Sequence, residues 1–298
     1  MPSELATPTR AFVLGLADEN GRLEAEPLYL AATGAGFSET KIRLTLRRLV
    51  DAGVLQQDGR GRKAVLQLTE SGLATRSPDL VWVACAYRAD AGLDPWDGAW
   101  HLAGFEIPET QRSARDALRD AIISLLGSPL SNGLYVTWWP WEPWLQRTAD
   151  DHGVGDRLVT ATTATLRVGE RTAPAELAGA LWPVHDLARG YDAFVARWSG
   201  PVDDPPADLP TATRMAFEAS GEIEAVMADD PFLPAETLPA DFAGPEARAL
   251  YRRLLDALAD AHPFIAEANL FGAYGQAIDR ALTQSAAAFW RDALSSSR

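Results

Sequence analysis

The sequence predicts an α+β fold in three parts. Three observations carry this. A helix, a turn and a cationic helix are followed by a Gly-rich basic hairpin in the first quarter of the chain. A strand–helix–strand order occupies the middle. The rest is helical and punctuated by prolines. The 298 residues suffice for two or three domains, and 47% hydrophobic residues are enough for real cores. The expected division is 1–78, 79–172 and 173–298.

Composition narrows the function classes. The longest apolar run, residues 80–87, is too short for a bilayer, which takes about 20 residues. The first four residues offer neither a basic nor an apolar leader segment. A single cysteine, Cys85, precludes an intrachain disulfide and a multi-cysteine zinc site. A cytoplasmic protein is expected. The net charge of −14 argues against nucleic acid when taken as an average. Residues 38–63 reverse it: seven bases against three acids make that stretch +4, leaving −18 for the remainder. The distribution, not the sum, decides whether a phosphate backbone is attracted.

In order along the chain, Ala11, Val13, Leu14 and Leu16 predict a short amphipathic helix over 9–18. Pro27 suits the first turn of a second helix that stops at Gly34. After the Gly36-Phe37 turn, Ser38 caps a third helix running to about Ala52, with Gly53 as its stop. At 100° per residue, Ile42, Thr45, Leu46, Leu49 and Val50 share one face. The other holds Thr40, Lys41, Leu44, Arg47, Arg48 and Asp51, with Arg43 on its shoulder. Residues 54–57 and 64–68 read as strands, joined by the tip Asp58-Gly59-Arg60-Gly61-Arg62-Lys63. Thr69 opens a closing helix. Each part alone is an ordinary solvated surface; in this order they describe a winged helix-turn-helix. Its third helix enters a major groove through Thr40, Lys41, Arg43, Arg47 and Arg48, while Arg60, Arg62 and Lys63 of the wing lie beside the minor groove.

Enzymatic motifs fail. The histidines (101, 152, 185, 262) lack metal-ligand spacing, and no nucleophile elbow or P-loop is present. Gly59 to Ala64 matches a dinucleotide fingerprint in letters only, since it joins two strands. No cofactor, metal or catalytic residue is expected.

Three blocks resemble the PaaX family of phenylacetic-acid degradation repressors. The first runs from Ser38 to Leu55 with the Gly-Arg-Gly-Arg-Lys wing. The second runs from Trp96 to Leu102, then Pro108-Glu109 and the helix after Arg112. The third is Asp230-Pro231-Phe232-Leu233-Pro234-Ala235-Glu236-Thr237-Leu238-Pro239-Ala240-Asp241-Phe242, followed by Gly244-Pro245 and a helix. The resemblance reaches about His262. It implies a homodimeric repressor with a winged helix, a ferredoxin-like (Cas2-like) central domain and a helical C-terminal domain. It also implies release from operator DNA by a coenzyme A thioester, phenylacetyl-coenzyme A for the type member. The stretch from Val136 to Trp144 holds more tryptophan than the family pattern suggests.

From the residues themselves, 101–107 and 134–139 read as strands, 110–126 as a helix and 156–168 as one or two further strands. The Trp-Pro cluster at 138–144 is either core packing or a pocket wall containing Trp138 and Trp141. Residues 175–198 read as a helix, 201–210 as a linker, 211–228 as a helix crossed by the Pro-Phe-Leu-Pro segment, and 247–258 as a helix burying Leu250, Leu254 and Leu258. Arg248, Arg252 and Arg253 either pair with local carboxylates on a solvated surface, the favoured reading, or hold the phosphates of a coenzyme A effector. An acidic or acyl-coenzyme A metabolite is expected between the middle and C-terminal parts. Two rivals remain: a Cas2-like metal-dependent nuclease built on Glu106, and a DNA-binding protein without effector. Phe264, Phe271 and Phe289 predict a packed tail.

Overall fold

The computed structural model describes residues 8–267 and 272–296. The first four residues and Phe271, on which two expectations bear, lie outside these. The chain divides into two units: residues 1–93, 192–224 and 245–298, and residues 94–191 and 225–244.

The first unit begins with α1 (Pro8–Gly15), β1 (Arg22–Glu24), α2 (Ala25–Gly34) and α3 (Glu39–Asp51), then the hairpin β2 (Leu55–Asp58) and β3 (Val65–Leu68), and α4 (Glu70–Asp90). The sheet order is β1-β3-β2, antiparallel throughout. β1 is an addition to the expected elements: its three residues bury only Leu23. α3 forms where expected. The Ser38 hydroxyl accepts from Lys41 N at 3.3 Å, and Ala52 and Gly53 N–H close the far end on Arg48 O and Val50 O. Ile42, Leu46 and Leu49 are buried; each such side chain contributes roughly 1.5–3 kcal/mol. Ser38→Ala removes the cap and is expected to cost about 1 kcal/mol in a urea-unfolding experiment.

α4 is one helix through residue 78, the end of the first expected division. The Thr69 hydroxyl caps it by accepting from Gly72 N at 3.1 Å. Arg76 is buried within it and donates to the carbonyls of Ala17, Asp18 and Glu19 at 2.9–3.2 Å. Desolvation lowers its pKa from the ordinary guanidinium value.

The second unit contains β4 (Trp100–Phe105), α5 (Arg112–Ser124), β5 (Ser128–Ser131), β6 (Leu134–Thr137), α6 (Glu142–Asp151), β7 (Leu158–Thr163) and α7 (Pro174–Leu181). Its sheet runs β5-β6-β4-β7, all antiparallel, so the βαββαβ order is ferredoxin-like. β5 and α6 are further additions to the expected elements. α6 begins inside the Trp-Pro cluster, with Pro143 in its first turn, where a missing N–H is tolerated. One sheet face carries Trp100 and Val136 against Leu177, Ala178, Trp182 and Leu233. The Pro-Phe-Leu-Pro segment therefore packs on this face through Leu233. Its turn is held by Asp230, which accepts from Phe232 N at 2.7 Å and from the Tyr191 hydroxyl at 2.5 Å. Phe232 sits at φ 48°, in the left-handed region. Gly127 passes under Trp141, where a Cβ would lie 2.2 Å from the ring. Gly127→Ala is expected to cost about 1–3 kcal/mol by overpacking, read from the denaturant midpoint.

The helix expected over 175–198 is broken at Trp182-Pro183. α8 (Val184–Asp203) then continues through Pro201, and α9 (Leu209–Met227) follows, so the expected linker is shorter than 201–210. α10 (Gly244–Ala261), α11 (Pro263–Glu267), α12 (Gly272–Thr283) and α13 (Ala286–Ser296) complete the first unit. Leu250, Leu254 and Leu258 are buried, as the pattern predicts. The tail packs: fully buried Arg88 of α4 donates to Ala281 O at 2.6 Å and Gln284 O at 2.9 Å, and stacks 4.6 Å from the Phe289 ring.

Candidate nucleic-acid interface

Burying Ile42, Leu46 and Leu49 turns the opposite face of α3 outward. Thr40, Lys41, Arg43, Leu44, Arg47 and Arg48 are all exposed, the Arg43 and Arg47 side chains by 70% and 81%. Leu44 is 47% exposed, an apolar residue standing among cations. Phe37 enters α3 from a cluster with Phe12 and Phe217, ring centroids 5.0–5.4 Å apart. Lys41 Nζ lies 5.3 Å above the Phe37 ring. The base of the helix is thus fixed while its basic side chains stay in water.

At the hairpin tip Gly59 and Gly61 adopt φ 79° and 65°, which L side chains rarely take. The tip can therefore turn tightly and present Arg60, Arg62 and Lys63, all exposed. Arg62 donates to Glu39, the first residue of α3, and Arg43 lies 3.9 Å from the same carboxylate. Glu39 thereby ties the hairpin tip to the helix, a role its sequence position does not reveal. Arg47 lies 3.7 Å from Asp51. Exposed pairs of this kind are worth at most about 1 kcal/mol, so an incoming phosphate displaces them easily. Between α2, α3 and the hairpin lies a cleft of about 310 Å³, lined in part by Tyr29, Arg43, Leu46, Arg47, Gln57 and Gly61. All eight predicted DNA contacts are exposed, and two of them, Arg43 and Arg62, share the Glu39 carboxylate.

The expected effector residues are placed differently. Trp138 is half-buried and its Nε1 donates to Pro231 O at 2.9 Å. Trp141 has no exposed surface and its Nε1 has no hydrogen-bond partner. Arg248 is 3% exposed rather than on a solvated surface, and grips Asp90 with two bonds of 2.7 Å. Arg252 donates to Asp279 at 2.8 Å beside the Tyr87 ring. Burial pushes the Tyr87 phenol above its ordinary pKa, with Arg248 and Arg252 opposing.

Glu106 is exposed at the end of β4. Among the described residues no three His, Cys, Asp or Glu side chains are grouped so as to hold a metal ion. His101, isolated in sequence, is buried with Nδ1 2.7 Å from Glu142 Oε1. Its Nε2 lies 3.3 Å from Asp97 Oδ2, too poorly aligned for a hydrogen bond. Among the described residues no helix is long and apolar enough to cross a membrane.

The profile of the PaaX protein central Cas2-like domain matches residues 93–177. The profile of the PaaX-like protein C-terminal domain matches residues 182–267. Among solved structures, the uncharacterized protein Rv0674 from Mycobacterium tuberculosis is similar in fold. It has a TM-score of 0.57 and 24% identity, over 88% of this chain and 99% of that one. No curated protein matches the chain. Two adjoining domain profiles in the family's order, together covering more than half the residues, establish that the chain belongs to the PaaX family.

Proposed function

We propose that the chain is a transcriptional repressor whose N-terminal part is a winged helix-turn-helix, followed by the central and C-terminal domains of its family. Two copies related by a two-fold axis dock α3 of each in successive major grooves of a partly palindromic operator, about 10 base pairs apart. One observation carries the reading: the outward cations of α3 and the basic wing lie together, joined through Glu39, in an otherwise anionic chain. Arg43, Arg47 and Arg48 reach base edges and phosphates, with Thr40, Lys41 and Leu44 beside them. Arg60, Arg62 and Lys63 neutralise backbone along the minor groove.

Fluorescence anisotropy with labelled duplexes across a salt series tests this. The apparent affinity is expected to fall linearly with log salt. Arg60→Ala is expected to weaken all sequences alike and to reduce the slope by about one. A wing variant with the wild-type slope contradicts the assignment.

The family membership supports a metabolite that releases the repressor, an acyl- or aryl-coenzyme A or a related acid. Such a ligand acts only by binding the released conformation more tightly than the bound one. With Trp141 enclosed and Arg248 engaged by Asp90, Trp138 and Arg252 are the predicted contacts that keep solvent access. Titrating the protein–duplex complex with a panel of acyl- and aryl-coenzyme A thioesters is expected to release DNA with one class; release by none removes the effector.

A further inference from the structure

The sheet of the second unit has two edges of different character. β5 is blunted: it has four residues, contains Pro129, and its register with β6 shifts between Pro129 and Ser131. These are devices by which proteins keep sheet edges from pairing. β7 has none of them. It is six residues long, Leu-Val-Thr-Ala-Thr-Thr, and pairs with β4 in an unbroken register from Leu158 to Thr163. It carries no charge and no proline. Its four central residues are exposed on both faces, Val159 by 66%. Its outer edge has no strand neighbour among the described residues. A regular, uncharged, β-branched edge of this length is a template for another strand.

We propose that this edge is the contact between two copies of the chain, β7 pairing antiparallel with β7 across a two-fold axis to give one continuous eight-stranded sheet. An antiparallel strand is complementary to itself, and a two-fold through Thr160 or Ala161 keeps each side chain on its own face of the sheet. Short, uncharged side chains then meet across the axis. In a chain of net charge −14, this is a stretch where two copies approach without like charges opposed. A foreign peptide is the poorer occupant. Strand addition draws its specificity from pockets for alternate side chains, and Val159, Thr160, Ala161 and Thr162 are themselves exposed rather than arranged around one. The inference rests on the two-copy reading above and supplies its surface.

Sedimentation velocity of the full chain at tens of micromolar tests it. Wild type is expected at twice the chain mass, with slow hydrogen exchange in β7. The double variant Val159→Lys/Ala161→Lys is expected at the single-chain mass with an unchanged far-UV spectrum. Ile123→Lys, which adds one lysine at a half-exposed position of α5 away from β7, is expected to stay paired. Wild type at single-chain mass with fast exchange in β7 overturns both this contact and the two-copy reading. A lysine double variant that keeps twice the chain mass overturns the contact and leaves the two-copy reading standing.

Discussion

Arg47→Ala is expected to weaken binding to the preferred duplex by about 1–3 kcal/mol, roughly 5- to 150-fold, and to relax the preference at one position of each half-site. Arg47 has the most exposed side chain of the ion-paired arginines on α3, and its partner Asp51 at 3.7 Å is too loose to hold it back from a base. A planar fork meeting guanine through two parallel bonds discriminates by geometry. Truncating it removes both bonds while leaving the buried face of α3, with Ile42, Leu46 and Leu49, untouched. The far-UV spectrum and unfolding midpoint should therefore match wild type. Anisotropy against the preferred duplex and single-position variants separates this from a phosphate contact, which weakens all sequences equally. An Arg47→Ala protein with wild-type affinity and selectivity removes Arg47 from the interface.

Asp90→Ala is expected to destabilise the first unit by about 3–5 kcal/mol. The Arg248 side chain is 4% exposed and that of Asp90 18%, with the guanidinium bound to both carboxylate oxygens at 2.7 Å. Removing the carboxylate takes both of these bonds from a buried cation that cannot shed its proton. The pair itself is a different matter, because its desolvation offsets much of its attraction. Asp90→Leu combined with Arg248→Met is therefore expected to recover most of the loss. Urea unfolding followed by circular dichroism reads all three proteins. An Asp90→Ala protein that unfolds like wild type shows that the pair does not hold α4 to α10.

What the sequence discloses about this protein is mostly local. α3 is legible because its cap, its 3.6-residue period and its glycine stop all agree, and the hairpin because Gly59 and Gly61 allow only a tight tip. The expected packing of Leu250, Leu254 and Leu258 follows from the same period. β1 is not legible, since three residues with one buried side chain carry no alternation. β5 hides behind Pro129, and α6 behind a Trp-Pro cluster that reads as core packing or a pocket wall and shows no helical period, although Pro143 falls where a helix accepts it. α8 runs past Pro201 because that proline comes only near its end.

The interactions that define sites are harder still, because they join residues far apart. Glu39 and Arg62 are 23 positions apart, His101 and Glu142 are 41, and Asp90 and Arg248 are 158. No pattern in one sequence marks such pairs. That is why the exposed cations of α3 and of the hairpin tip can be named from sequence, whereas the buried state of Arg248 and Trp141 cannot.

Selection from a pool of random duplexes, followed by sequencing of the bound fraction, tests the central claim most directly. An enriched inverted repeat with half-sites about 10 base pairs apart is expected, lost when Arg47 and Arg62 are both replaced by alanine. A bound fraction without any enriched motif, or the same motif recovered with the doubly substituted protein, contradicts it.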